Sequence, residues 1–465
     1  MENKKENFNE WYNEIVEISG LSDKRYPIKG MNVWLPYGLK AMQNIDGTIR
    51  KSVDSREFQE VSFPVLITRD QLSVEFEHVK GFENEVYWVT RGGMDQLDVE
   101  MALRPTSEAA MYGMFSLWVR SHADLPLRTY QIVNVYRYET KHTRTFIRIR
   151  EIHFFEAHTA HDSYEDAERQ MEQYLEIWKE ISSELCLPYL VNERPEWDKF
   201  PGAMYTLAFD TVVPGGRSLQ IGTIHEYGTN FSRNYDIKYL KDDGTHEYAS
   251  QTTFGLSERL LAAVIALHGD DQGLIFPPGI APVQIIVVPI PSKKVDTGIY
   301  ASSIVKSLQE AGFRARTDQR ENYTPGFKYN EWEMKGVPLR LEVGEKEVDD
   351  NFVTASPRTS RKKSKIPLSE IVTAVPQLLA EVKLELTKRS ADQFKGLQNH
   401  IKKVEDIKKA NGIVLAGWCG NKTCAEKIEE TYEFGTLGFS RNHKESTKCV
   451  ICDAEGRIGV FSKSY

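Results

Sequence analysis

Two segments near the middle of the chain alternate between apolar and polar residues. They read YQIVNVYRYE over residues 130–139 and FIRIREIHFF over residues 146–155. A period of two is typical of a β-strand with one apolar face. Because only a short polar linker, residues 140–145, separates them, the simplest arrangement is an antiparallel pair.

Helical periodicity follows this pair. Over residues 165–187 the apolar side chains recur every three or four positions, which predicts an amphipathic helix. A second helix is predicted to start near Leu256, with Leu260 and Val264 on one side.

The second half of the chain has a different pattern. Residues 283–290, VQIIVVPI, form a continuous apolar run of the kind buried in parallel sheets. A predicted helix over 301–311 and a predicted strand over 337–344 follow, and strands alternating with helices indicate an α/β domain. Lysine-rich sequence over 389–410 looks helical and leads into a cysteine-bearing tail.

A chain of 465 residues is too long for one core, so we expect several domains. We predict an α+β domain with an antiparallel sheet and flanking helices over 1–282, an α/β domain over 283–388 and a small α+β domain over 389–465.

The charge balance limits the possible partners. With a formal net charge of -8, any contact to a nucleic acid must come from a local patch of positioned groups. No apolar run approaches the roughly 20 residues that a membrane span needs, and the N-terminus lacks the apolar segment of a signal peptide. We therefore expect a cytoplasmic protein with no membrane partner.

The predicted strand pair carries arginines. Strand parity puts Arg137 and Glu139 on one face of the first strand, and Arg148 and Arg150 on one face of the second. Such a face is most often simply solvated. Guanidinium groups also match phosphate oxygens in bidentate pairs, so a phosphate-binding platform is the alternative.

Three motifs in order support the second interpretation. Residues 137–151 resemble motif 2 of the class II aminoacyl-tRNA synthetases, residues 254–259 resemble motif 3, and residues 62–64 resemble the end of motif 1, which builds that family's dimer interface. The resemblance implies the class II catalytic fold, a homodimer, and ATP bound with Mg²⁺. It assigns catalysis to Arg137 and Arg259, with Arg148 and Arg259 on the outer phosphates.

More specific matches resemble the prolyl-tRNA synthetases. The loop over residues 103–108, LRPTSE, is similar to a Thr-x-Glu loop of that family, and a carboxylate there can pair with the secondary ammonium of proline. By resemblance the proline site comprises Thr106, Glu108, Arg137 and His225. The ATP site comprises Phe82, Glu85, Arg137, Glu139, Arg148, Ile149, Gln220, Thr223, Ser257 and Arg259.

The strand that carries three of these residues needs an irregularity. Parity makes Thr223 and His225 neighbours on one face but puts Gln220 on the other. We therefore predict a bulge or a strand end near Gly222. Without the flanking match, a half-buried histidine with satisfied hydrogen bonds would be the better interpretation of His225.

The α/β domain resembles the anticodon-binding domain of class IIa synthetases. There the positions of Glu333 and Arg340, and of a lysine near Lys362, contact the anticodon bases, which implies contact with the anticodon of tRNA(Pro) here. Arginine pairs well with the O6 and N7 atoms of guanine, although the pattern alone would be merely an amphipathic strand.

The tail contains Cys419, Cys424, Cys449 and Cys452 in two close pairs. Four thiolates with this spacing suit one tetrahedral zinc ion. A similar set of cysteines occurs at the C-terminus of prolyl-tRNA synthetases of the archaeal and eukaryotic type. Free buried thiols are the alternative. Cys186 lies apart and fits plain packing.

The predicted reaction is ATP-dependent activation of L-proline to prolyl-adenylate, then transfer to the 3′ end of tRNA(Pro). In the bacterial branch of the family that the chain resembles, a large editing domain is usually inserted between motifs 2 and 3. The interval between Arg137 and Arg259 leaves no room for such a domain. The alternatives are a class IIa synthetase for another amino acid, against which Thr106 and Glu108 argue, and a non-catalytic RNA-binding relative, against which the retained arginines argue.

Overall fold

The structure is a computed structural model that describes residues 2–76 and 82–465, without the side chains of residues 74–83. Its α-helices in chain order are α1 Phe8–Ile18, α2 Pro36–Asp54, α3 Arg69–Phe76, α4 Glu108–Trp118, α5 Tyr164–Glu184, α6 Asn230–Asn234, α7 Arg259–His268, α8 Thr297–Glu310, α9 Pro325–Met334, α10 Glu345–Asp349, α11 Ile371–Gly396 and α12 Lys422–Tyr432. None of the helices in the described part of the chain has the length and apolar composition of a membrane span.

Within the described residues, the strands belong to five sheets. In chain order they are β1 Ser22–Asp23, β2 Val33–Trp34, β3 Gln59–Glu60, β4 Leu66–Thr68, β5 Tyr87–Gly92, β6 Asp95–Leu103, β7 Leu127–Tyr136, β8 Glu151–His161, β9 Leu190–Glu193, β10 Tyr205–Val212, β11 Arg217–Gly228, β12 Lys238–Leu240, β13 His246–Tyr248, β14 Ser250–Ser257, β15 Ile285–Pro289, β16 Ala315–Thr317, β17 Leu339–Val343, β18 Phe352–Pro357, β19 Ser364–Pro367, β20 Gln398–Ile401, β21 Ile413–Trp418, β22 Gly435–Ser440, β23 Ser446–Lys448 and β24 Glu455–Ser464.

The predicted antiparallel pair is confirmed as β7 and β8, but its second strand starts later than predicted. Leu127 lies opposite Ala160 and Tyr136 opposite Glu151. The predicted start at residue 146 is wrong because residues 145–147 form a turn, flanked by an isolated bridge between Arg144 and Arg148. Phe146 has a left-handed backbone, with φ 62°, and its buried ring lies 4.5 Å from that of Trp34.

The pair β7 and β8 belongs to a large, mostly antiparallel sheet that positions the candidate site. Its strands run in the order β20-β21-β24-β22-β9-β10-β11-β14-β8-β7-β3, with β23 beside β24. Helices α2, α5 and α7 contribute to the apolar core against it, where Trp178 of α5 stacks on Phe209 of β10 at 4.5 Å. The amphipathic helix predicted over 165–187 is therefore confirmed as α5.

The second predicted helix starts at Arg259, because Leu256 is still paired in β14 with Phe155. This difference matters for the site. It places Arg259 at the first turn of a helix, directly after a strand of the central sheet.

The α/β domain predicted from the apolar run is confirmed as a sheet of order β16-β15-β17-β18-β19. Strand β15 is parallel to β16 and β17, while β18 and β19 are antiparallel. The helix predicted over 301–311 is confirmed as α8, which starts four residues earlier and ends one residue earlier. Helix α11 runs through residue 388, where the sequence suggested a boundary, and the three-domain division remains a proposal.

The C-terminal strands join the central sheet, which the sequence did not predict. Strand β22 pairs with β9 through Phe439 and Glu193, and β24 runs parallel to β11 with Ser464 opposite Ser218. The helical expectation for residues 389–410 is wrong beyond Gly396, because strand β20 then pairs with β21. The C-terminal segment is thus built into the sheet that carries the candidate site.

Candidate active site

A cavity of about 520 Å³ lies over β8, β11 and β14. It gathers the predicted site residues whose side chains are described, namely Glu85, Thr106, Glu108, Arg137, Glu139, Arg148, Ile149, Gln220, Thr223, His225, Ser257 and Arg259. The side chain of Phe82 lies outside the described residues. Side chains separated by more than 170 positions therefore meet in one place.

One end of the cavity is acidic. Glu108 is the first residue of α4, where the helix dipole favours a carboxylate. Thr106 donates a hydrogen bond to it, and the Tyr227 hydroxyl donates a second at 2.9 Å. Glu108 is thereby buried and held in one orientation while it lines the cavity.

Two further residues of this end were missed from the sequence. Glu156 and His158 of β8 bring their side chains within 4.8 Å of Glu108. Burial opposes the charge of Glu156, but hydrogen bonds from His158 and Ser107 outweigh it and keep its pKa below the usual range. The alternation seen up to Phe155 continues for three more residues, so strand parity could have placed Glu156 and His158 on one face of this strand.

His225 closes the same end. Its Nδ1 lies 2.8 Å from the Thr206 hydroxyl, and its ring centroid lies 4.8 Å from that of Phe200. Burial lowers the pKa of His225 to about 3, so the imidazole is neutral near pH 7.

The bulge predicted near Gly222 is confirmed. The register between β10 and β11 shifts between Phe209, which faces Gly222, and Asp210, which faces Gln220. Ile221 is therefore the extra residue, and the shift brings Gln220 to the cavity together with Thr223.

The opposite end of the cavity is basic. Arg148 donates to Glu139 at 2.8 Å. Arg259 donates through Nε to the Ile147 carbonyl at 2.8 Å. Burial lowers the pKa of Arg259 to about 10, and it remains protonated near pH 7.

Arg137 lies between the two ends. It follows β7 directly, and its Nε donates to the Pro105 carbonyl at 3.1 Å, next to Thr106. Arg137 and Arg148 are also close enough to Arg259 to repel its charge. These three guanidinium groups thus lie close together in one part of the cavity, an arrangement that favours an anion.

Arg150 differs from Arg148, although parity predicted a shared face. Its Nε donates to the Glu139 carbonyl, and its guanidinium lies 4.4 Å from the Tyr138 ring centroid. It does not line the cavity. The predicted shared face is wrong because residues 146–150 are not a strand.

Glu258 was also missed from the sequence. It directly precedes α7, is 2% exposed, and lines the cavity beside Arg259. Burial raises its pKa to about 7, and its Oε2 has no hydrogen-bond partner within the described residues. Such an oxygen can accept a cation or a donor group from a ligand.

The residues predicted to contact the anticodon lie in the α/β domain. Arg340 of β17 pairs with Glu333 of α9 at 2.6 Å and lies 4.1 Å from the Tyr329 ring centroid. Lys362 is exposed, and the neighbouring Lys363 pairs with Glu342 of the same strand at 2.7 Å. Arg340 and Glu333 are therefore adjacent, with Lys362 outside their contact.

The four tail cysteines form a cluster with their Sγ atoms within 4.8 Å of one another. Cys419 Sγ lies 3.7 Å from both Cys424 Sγ and Cys452 Sγ. Sulfurs bound to one zinc at about 2.3 Å stand about 3.8 Å apart, so the cluster fits a tetrahedral zinc ion.

Three family models match consecutive parts of the chain. They are the class II tRNA synthetase core domain (G, H, P, S and T) over residues 87–268, the anticodon binding domain over 284–378 and the prolyl-tRNA synthetase C-terminal domain over 401–465.

Full-length relatives are also similar. The proline–tRNA ligase of Thermoplasma volcanium is 63% identical, over 100% of each chain. The prolyl-tRNA synthetase of Cryptosporidium parvum complexed with halofuginone and AMPPNP has a TM-score of 0.95 at 33% identity, over 100% of this chain and 99% of that chain. The Giardia lamblia enzyme in complex with prolyl-adenylate has a TM-score of 0.94 at 31% identity, over 99% of each chain.

Proposed function

Since the chain belongs to the prolyl-tRNA synthetases, which are proline–tRNA ligases, we propose that its central cavity forms prolyl-adenylate from L-proline and ATP. The observation that carries this proposal is the division of charge within one cavity. The buried Glu108 lies at one end and the arginines Arg148 and Arg259 at the other, with Arg137 between them. An amino acid with a cationic amine and a polyphosphate anion fit these two ends.

The acidic end takes the amino acid. The secondary ammonium of proline would donate to Glu108 and Thr106, whose oxygens are already fixed by Tyr227 and by each other. The neutral ring of His225 supports the apolar pyrrolidine without adding charge. The carboxylate of proline would then point towards Arg137.

The basic end takes the nucleotide. Arg137 would bridge the carboxylate of proline and the α-phosphate, and Arg148 and Arg259 would hold the outer phosphates. The remaining nucleotide contacts belong to Phe82, Glu85, Glu139, Ile149, Gln220, Thr223 and Ser257. The Cryptosporidium parvum enzyme was solved with the ATP analogue AMPPNP and the Giardia lamblia enzyme with prolyl-adenylate, which supports both ligands for this cavity.

The reaction then needs little covalent chemistry from the protein. An oxygen of the proline carboxylate attacks the α-phosphorus, the bond to the bridging oxygen breaks, and pyrophosphate leaves with that electron pair. Arginines held in place before the reaction stabilise the developing charge. Magnesium bound with ATP would neutralise phosphate charge, and the unpartnered Oε2 of Glu258 is an oxygen of the kind it prefers.

The second step uses the rest of the chain. The terminal ribose hydroxyl of tRNA(Pro) attacks the prolyl carbonyl and forms an ester. The bond from the carbonyl carbon to the phosphate oxygen breaks, AMP leaves with that electron pair, and the hydroxyl proton passes to water. Glu333, Arg340 and Lys362 would contact the anticodon from the α/β domain. Between Arg137 and Arg259 the chain contains α5, α6 and strands, and we propose that it carries no editing domain.

The tail cluster would hold one structural zinc ion. Cys419, Cys424, Cys449 and Cys452 fill a tetrahedral shell and leave no position for water, so the metal would stabilise the fold rather than catalyse. Burial raises the pKa values of Cys419 and Cys424. At Cys449 burial also opposes ionisation, but backbone N–H groups outweigh it and lower its pKa to about 7, so Cys449 is the thiol of these three that ionises most readily.

We further propose a homodimer in the cytoplasm, where ATP, proline and tRNA meet. The ring of Trp118 lies 5.7 Å from that of Phe63 in the motif over residues 62–64. Trp118 and its neighbour Leu117 are 41% and 54% exposed, and Leu66, two residues after the motif, is 42% exposed. Large apolar side chains exposed together mark an association surface. Leu117→Glu should convert a dimer to monomers in sedimentation velocity, and a wild-type monomer would contradict this assignment.

The charge division is tested by separating the two Michaelis constants in ATP–pyrophosphate exchange. Glu108→Gln should raise KM for proline, and Arg148→Met should raise KM for ATP. A hydrogen bond to a charged group is worth about 1.5–3 kcal/mol, so each increase should be about 10- to 100-fold.

Arg169→Met is the matched control, because this arginine of α5 is 71% exposed and lies outside the cavity. It should leave both constants unchanged. An equal rise of both constants in each cavity variant would contradict the division of charge.

A further inference from the structure

A second cavity, of about 360 Å³, lies behind the basic end of the active site. It is lined on one side by the central sheet and on the other by the C-terminal segment, including Leu437 and Tyr465. Both cavities are lined by Arg194, Asp198, Gln220 and Arg259. These side chains therefore form the wall between the active site and the C-terminal segment.

Arg194 makes most of the contacts in this wall. Its Nη2 donates to Asp210 at 2.8 Å and to Gln220 Oε1 at 3.0 Å. Its Nη1 donates to the Leu437 carbonyl in β22, and its Nε lies 3.7 Å from Asp198. One guanidinium group, with 5% of its side chain exposed, thus connects β10, β11 and the C-terminal strand.

The contact to Gln220 fixes which end of its amide faces the active site. An amide oxygen accepts hydrogen bonds, whereas its nitrogen donates two. Because Arg194 holds Oε1, the Nε2 donors are left for an acceptor in the cavity. A freely rotating Gln220 would lose side-chain entropy each time it met a ligand.

Arg194 is itself held on both sides. Asp210 uses its second carboxylate oxygen to accept from Asn192 at 2.7 Å, and Asn192 pairs with Ser440 of β22. The orientation of Gln220 therefore depends on the C-terminal strand as well as on the catalytic sheet.

We propose that Arg194 is a positioning residue for ATP, through which the C-terminal segment orients the Gln220 amide towards the nucleotide. This inference rests on the proposed assignment of Gln220 to ATP. It explains why the C-terminal strands are built into the catalytic sheet. It also means that the C-terminal segment affects ATP binding more than proline binding, because the contacts at Glu108 do not involve it.

The test is a double-mutant cycle between Arg194→Lys and Gln220→Ala. The lysine keeps a positive charge beside Asp210 but lacks the planar fork that reaches three partners. We expect each single variant to raise KM for ATP, and the Kd of AMPPNP in calorimetry, about 10-fold. The double variant should bind AMPPNP no more weakly than Gln220→Ala alone. The KM for proline should stay near the wild-type value in all three variants.

Two further variants keep the test decisive. Gln220→Glu preserves the contact with Arg194 but removes the Nε2 donors, so it should weaken AMPPNP even if Arg194→Lys fails to fold. Arg441→Lys is the matched control, because Arg441 pairs with Glu193 at 3.0 Å at the same junction and lines neither cavity. It should leave AMPPNP binding unchanged.

The results that would contradict this inference differ from those that would contradict the assignment of Gln220 to ATP. The inference would be overturned if the losses of AMPPNP affinity added in the double variant. It would also be overturned if Arg194→Lys bound AMPPNP normally while Gln220→Ala bound it more weakly. Either result would leave the proposed function standing. Normal AMPPNP binding by Gln220→Ala and Gln220→Glu would overturn the assignment of Gln220 to ATP, and the inference with it.

Discussion

Replacing Arg259 by methionine should nearly abolish prolyl-adenylate formation. Its guanidinium carries five N–H donors. Nε donates to the Ile147 carbonyl at 2.8 Å and Nη1 to the Gln220 carbonyl at 3.4 Å, which leaves three donors for a phosphate. Loss of one preorganised charged group typically costs about 10²- to 10³-fold in rate, which corresponds to about 2.7–4 kcal/mol.

The assay is ATP–pyrophosphate exchange at saturating proline and ATP, with thermal unfolding measured in parallel to show that the variant is folded. Arg259→Lys should be intermediate, because it keeps the charge but loses the bidentate geometry. Arg169→Met removes an arginine of α5 that is 71% exposed and lines neither cavity, and it should exchange normally. Exchange near the wild-type rate in folded Arg259→Met would refute the placement of the outer phosphates.

The remaining predictions concern other parts of the chain. Metal analysis should find about one zinc per chain, and Cys449→Ser should lose it; a zinc-free wild type would exclude the site. Glu333→Gln and Arg340→Met should spare pyrophosphate exchange but impair tRNA charging, and a parallel loss of both steps would show that the anticodon contacts are misplaced. Arg358→Met should lower stability by about 3 kcal/mol, because it leaves the Asp270 carboxylate without its bidentate partner at 2.6 and 2.9 Å.

The ion pair removed in Arg358→Met also predicts how the stability of the fold depends on pH. Burial opposes the charge of Asp270, but hydrogen bonds from Arg358 outweigh it, so the pKa of Asp270 lies below its usual value. The pair therefore stabilises the fold above the unfolded pKa of about 3.9, and this stabilisation is lost as the pH falls through the lower folded value. Arg358→Met should unfold with a weaker dependence on pH in the acid range; an unchanged acid slope would argue against the pair.

Elements with a strong period were predicted well. Strands β7 and β8, helix α5 and strand β15 each carry enough alternating, helical or continuous apolar sequence to identify them. The bulge at Ile221 was predicted because two matched motif residues on one strand had incompatible parity. The elements needed only the local period, whereas the bulge needed strand parity together with the family resemblance that assigns both residues to ATP.

Features that depend on distant contacts were not predicted. The turn at Phe146 replaces a strand because its side chain packs against Trp34, more than a hundred residues away. The docking of β22 on β9 and the contacts of Arg194 join segments that no local period connects. Glu258 carried no pattern beyond the motif itself, and only its burial reveals an unpartnered oxygen.

The assignment of the cavity to proline is tested most directly by ATP–pyrophosphate exchange measured with each proteinogenic amino acid in turn. Proline should give by far the strongest exchange, with alanine and cysteine as weak competitors, because a methylene is worth only about 1–3 kcal/mol in such a pocket. The same preference should weaken in Glu108→Gln, which removes the charge that pairs with the secondary ammonium. Stronger exchange with threonine or glycine than with proline would contradict the assignment of the acidic end to proline.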